Sequence, residues 1–62
     1  MYQKYEKLRN ERKVTDYEVS KQTGISTATL SSWKAGVYQP KVDKIMLLAD
    51  YFNVPLEYFL KD

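Results

Sequence analysis

The run from Ser26 to Lys34, STATLSSWK, gathers hydroxyls, methyls and one ammonium, with no carboxylate. Hydroxyls on a helix donate and accept hydrogen bonds, but they attack nothing without a base beside them. The chain lacks the commonest such base. It has no histidine and no cysteine, which removes the commonest general acid–base, a thiol nucleophile and the usual zinc ligands. Its two glycines, Gly24 and Gly36, are too far apart to build a phosphate-cradling loop. Ser, Asp and Lys are present, yet a catalytic pocket is not expected in 62 residues. The composition argues against an enzyme; no catalytic residue, metal site or cofactor is expected. The chemistry that remains is recognition through short side chains.

A chain of this length forms one domain, residues 1–62, and buries only ~60% of its unfolded surface. With no disulfide available, stability rests on packing, which 44% apolar and 15% aromatic residues supply. No apolar run approaches the ~20 residues of a membrane span. The opening MYQKYEKLRNERK is charged and lacks the apolar stretch of a secretory leader. The absence of cysteine fits a cytosolic chain. A net charge of +2 suits a nucleic-acid partner and suits an ordinary soluble protein equally well.

Apolar spacing is helical throughout, with no repeat, no sustained alternation and no hairpin dipeptide. Tyr2, Tyr5, Leu8 and Arg12 step by three and four along a first helix over residues 2–12. Thr15 with Glu18 reads as a capping box that starts a second helix, closed by Gly24 after Gln22 or Thr23. Ser26 caps a third helix that Gly36 stops after Ala35. Pro40 keeps VYQP as a loop. Val42, Ile45, Leu48, Ala49 and Phe52 share one face of a fourth helix, with Asn53 as a left-handed exit. Pro55 suits the first turn of a fifth, whose stripe is Leu56, Phe59 and Leu60. These elements predict a compact all-α domain of five helices.

The second and third helices meet through a short turn containing Gly24, which outlines a helix-turn-helix over about residues 15–35. Ser20 is small where the two helices cross, and Gly24 is expected where a Cβ would clash. Val19, Ile25, Leu30 and Trp33 clamp the pair to the core, so the opposite face of the third helix projects outward.

The chain resembles the lambda-repressor-like (Cro/CI-type, XRE) helix-turn-helix family of phage and bacterial transcription regulators. The matching residues are LR at Leu8–Arg9, TDYEVS from Thr15, GIS from Gly24, LSSWKAG from Leu30, Pro40, and IMLLADYFNVPLEYFL from Ile45. Each is weak alone; their order and spacing, covering roughly residues 5–60, are specific. The resemblance implies binding to double-stranded DNA and transcriptional regulation, as a repressor, in a bacterial or phage-infected cytoplasm. It places the third helix in the major groove, with Thr27, Ala28, Ser31 and Ser32 reading bases. Short side chains let a helix approach the groove floor, and methyls of Ala and Thr suit the thymine methyl. No Arg, Gln or Asn on this face makes a bidentate base contact, so direct reading in each half-site is expected to be modest. Phosphate contacts carry over to Tyr17, Lys34, Tyr38, Gln39, Lys41 and Lys44. Lys41 stands where a helix start usually has Ser, Thr or Asp, and a bound phosphate there turns an unfavourable charge into a favourable one. Lys7, Lys13 and Lys21 read as solvated charges, and Trp33 as core.

Met46, Leu47, Tyr51 and Tyr58 read either as an apolar patch for a dimer on a near-palindromic operator or, for the two tyrosines, as simple surface residues, and the sequence leaves the oligomeric state open. The rival reading is a protein-interaction module or antitoxin-like adaptor on the same fold, which the mild charge and uncharged third helix keep open. Two positions depart from the family pattern. Asp16 replaces a Gln that commonly meets phosphate, so that role is not assigned to it; a helix-start anion is expected instead. Lys34 replaces a Glu that commonly pairs with the Arg of the first helix. Arg9 is then expected to turn to Glu18 or to a backbone carbonyl.

Overall fold

The computed structural model describes residues 1–61. Five helices follow in order: α1 (Tyr2–Arg12), α2 (Asp16–Thr23), α3 (Thr27–Ala35), α4 (Val42–Phe52) and α5 (Glu57–Leu60), with no strand among the described residues. The all-α expectation holds.

The helix ends have local causes. The Thr15 hydroxyl accepts from the Glu18 amide at 3.2 Å, and the Ser26 hydroxyl accepts from the Thr29 amide at 3.1 Å. Four helices exit through a left-handed residue: Lys13 (φ 56°), Gly24 (φ 81°), Gly36 (φ 76°) and Asn53 (φ 58°). An added Cβ at Gly24 would meet nothing within 4 Å, so the expected clash is absent. Glycine is favoured there by its positive φ alone. The fifth helix is shorter than its apolar stripe implied. Pro55 lies ahead of it and contributes a carbonyl to the Tyr58 amide at 3.0 Å.

The core joins every helix. Tyr5 and Leu8 of α1, Val19 of α2, Ile25 of the turn, Leu30 and Trp33 of α3, Ile45, Leu48, Ala49 and Phe52 of α4, and Phe59 of α5 are all buried. Tyr5 and Phe52 meet edge to face, centroids 6.1 Å apart. The α2 helix packs on both α3 and α4, and α5 closes on α4. Arg12 ends the α1 stripe differently from an apolar residue. Its guanidinium reaches across to donate to the Phe52 carbonyl at 2.7 Å, placing a cation at the C-terminal end of α4. Two expected core positions are corrected. Val42 and Leu60 are exposed, because Val42 opens α4 beyond the last layer of the core and the four residues of α5 bury only one side chain, Phe59.

Candidate nucleic-acid interface

Burial sorts α3 into two faces. Leu30 and Trp33 are buried, whereas Thr27, Ala28 and Ser31 are exposed and Ser32 is half-buried. Positions 27, 28, 31 and 32 span an arc of about 140° on a helix of 3.6 residues per turn, opposite the Leu30 and Trp33 side. The same buried pair, with Val19 and Ile25, fixes α3 against α2 and leaves the arc free.

The hydroxyls of that segment are not equivalent. Ser26 and Thr29 are 2.8 Å apart at their side-chain oxygens and satisfy each other within the cap. The Ser32 hydroxyl donates to the Ala28 carbonyl at 3.0 Å. Thr27 and Ser31 have no side-chain hydrogen bond among those formed by the described residues, so both remain able to donate or accept toward a ligand.

The residues expected at phosphates are placed by element and exposure. Tyr17 near the start of α2, Lys34 in the last turn of α3, Tyr38 and Gln39 in the following loop, and Lys41 at the N-cap of α4 are exposed; Lys44 is half-buried. Lys41 makes no side-chain cap, which leaves the amides at the start of α4 without a side-chain acceptor from that position. Tyr17 and Tyr38 are each 68% exposed, unusually open for tyrosine.

Sequence reasoning missed what holds the start of α2. Tyr5, buried in α1, donates its phenolic proton to Asp16 Oδ1 at 2.5 Å. Arg9 Nε lies 3.4 Å from the same oxygen, and Arg9 Nη2 lies 4.0 Å from Glu6. The Arg9 contact with Asp16 is a charge pair without an aligned hydrogen bond. The expected partners of Arg9, Glu18 or a backbone carbonyl, are therefore corrected: its partners are Asp16 and Glu6. The spacing offered one clue, since Asp16 is the first helical residue and points an acid back toward α1. Burial first, and then the hydrogen bond to Asp16, push the Tyr5 phenol well above the usual tyrosine range, so the proton stays on Tyr5.

Nothing in the site suits a metal: no cluster of His, Cys, Asp and Glu able to hold an ion occurs among the described residues. A shallow cleft of about 480 Å³ lies between α1 and α5, bordered by Lys4, Lys7 and Tyr58, outside the two-helix unit. Among the described residues no helix is long and apolar enough to cross a membrane.

Compared with known proteins, the chain matches the helix-turn-helix family model over residues 6–59. No curated protein and no solved structure gives a match. The match spans the α2–turn–α3 unit together with the helices that brace it, and the chain belongs to the lambda-repressor-like (Cro/CI-type, XRE) helix-turn-helix family of DNA-binding transcription regulators.

Proposed function

We propose that this chain acts as a transcriptional repressor in the cytoplasm, reading a near-palindromic operator as a homodimer. The observation that carries this reading is the division of α3. Its apolar residues are consumed by the core, while Thr27, Ala28 and Ser31 stand outward with no charge to repel a groove. Thr27, Ala28, Ser31 and Ser32 would read bases. Tyr17, Lys34, Tyr38, Gln39, Lys41 and Lys44 would hold phosphates and set the register of the helix. Two α3 helices related by a two-fold axis would lie about 34 Å apart, one turn of duplex. Met46 and Leu47 on the open side of α4 supply exposed apolar surface for a dimer contact. Tyr51 and Tyr58 are half-buried and pack against the core, so they would flank that contact rather than form it.

Selection of bound sequences from a random duplex pool tests the reading. Enrichment of a near-palindrome with half-sites about one turn apart is expected. The adaptor reading draws on the exposed Val42, Met46, Leu47 and Leu60 and on the uncharged α3 face. A salt titration separates the two. DNA binding through several phosphates weakens steeply with salt, whereas absence of duplex binding at low salt would favour an adaptor.

A further inference from the structure

The Ser32 hydroxyl has one proton, and that proton is committed to the Ala28 carbonyl at 3.0 Å. What the side chain shows to the outside is its lone pairs. Its neighbour Ser31, exposed and without such a bond, can turn either way, as can Thr27. Resting on the reading of α3 as the helix that enters the groove, we infer that Ser32 is an acceptor-only reader that selects an amino base, adenine or cytosine, over a keto base on the strand it faces.

The chemistry follows from the base edges. In the major groove the donors are adenine N6 and cytosine N4; guanine presents N7 and O6, and thymine presents O4, all acceptors. An oxygen whose proton is held by its own helix can accept from an amino group. Facing a keto base, it places two acceptors against each other. To meet a keto base favourably, Ser32 would have to give up its bond to Ala28, and the Ala28 carbonyl would lose a donor. The arrangement therefore supplies discrimination on a face that has no Arg, Gln or Asn. Ala28 lies one turn earlier on the same arc and adds a methyl, which cannot compete for the amino proton.

The experiment uses the full chain in pool selections run in parallel with Ser32→Ala and with Ser31→Ala as control. Alanine is a strong helix former, so both variants keep α3; circular dichroism confirms it. The expected result is one position per half-site at which the unmodified protein fixes the base pair and only Ser32→Ala relaxes the choice. On the selected duplex, Ser32→Ala weakens binding by roughly two- to tenfold, the worth of one net hydrogen bond. Replacing adenine there with purine, or cytosine with 2-pyrimidinone, removes the amino group. That change weakens the unmodified protein by the same factor and leaves Ser32→Ala unaffected. Unchanged binding of the unmodified protein when the amino group is removed, or a site at which Ser32→Ala relaxes nothing, overturns the inference while DNA reading by α3 stands. A pool with no enrichment at all overturns the DNA reading itself, and this inference with it.

Discussion

The phenolic hydroxyl of Tyr5 donates to the carboxylate of Asp16 at 2.5 Å, tying the middle of α1 to the first residue of α2. Arg9 reaches the same oxygen from one turn further along α1. The two departures from the family pattern are thereby explained together. Arg9 finds its opposite charge at the start of α2, so no acid is needed at position 34 to neutralise it. The Asp16 charge is compensated by Arg9, which would lessen its repulsion of a phosphate at the proposed Tyr17 contact.

The link predicts coupled stability. Tyr5→Phe keeps the ring and its edge contact with Phe52 but removes the donor; Asp16→Asn keeps the shape but removes the charge. Each is expected to cost about 1–2 kcal/mol, a charged hydrogen bond discounted for the partial exposure of Asp16. The double variant should cost clearly less than the sum. Urea unfolding of all four proteins measures this, and strict additivity would show that the two residues do not act through each other.

Alkaline pH provides a second handle on Tyr5. Its folded-state pKa is raised by burial and then by the bond to Asp16, while the unfolded phenol titrates near its usual value of about 10. Below that pH both states hold the proton and stability is flat with respect to this group. Above it the unfolded chain loses the proton first, so stability falls by up to about 1.4 kcal/mol per pH unit. Tyr2, raised by burial first and then by the Asp16 charge, adds in the same direction. Thermal melts between pH 8 and 11.5 should show the decline, and Tyr5→Phe should make it shallower.

Local signals read best from the sequence. Thr15, Ser26, Gly24, Gly36 and Asn53 marked the ends of α2, α3 and α4 because caps and left-handed exits depend on residues a few positions apart. Helical spacing placed Tyr5, Leu8, Val19, Leu30 and Trp33 in the core. The outward position of α3 then followed, since the helix has one apolar side. What spacing could not reveal depends on how far each helix overlaps its neighbours. Val42 continues the α4 stripe yet lies past the core's edge, and Leu60 sits on a helix too short to bury it. The partner of Arg9 is a question of tertiary distance between α1 and α2, and no sequence period encodes it. The bond from Ser32 to Ala28 is a choice of rotamer, equally hidden.

Gly24 illustrates the distinction between space and conformation. With φ at 81° and open space where a Cβ would stand, Gly24→Ala should cost only the left-handed backbone penalty, about 1–2 kcal/mol. Gly24→Asn should cost less, since asparagine tolerates that region. Equal, severe destabilisation by both in chemical unfolding would mean that the turn is sterically closed after all.

The proposed division of labour between base and phosphate contacts has its own signature. Ala28 is exposed, so Ala28→Glu should leave the melting temperature within a few degrees of the original while bringing a carboxylate to the groove, and duplex binding should be lost. Lys34→Ala and Lys41→Ala should instead weaken binding to all duplexes similarly, each lowering the magnitude of the log–log salt slope by about 0.9. Lys21→Ala, a solvated charge on α2, should leave the slope unchanged. Fluorescence anisotropy with a labelled duplex at several salt concentrations measures all four. The contrast between the variants matters more than any one value. If Lys21 and Lys34 shift the slope alike, the basic residues act through net charge rather than as placed contacts. If Ala28→Glu still binds, α3 does not lie in the groove, because a buried carboxylate against base edges and flanking phosphates would be strongly repelled.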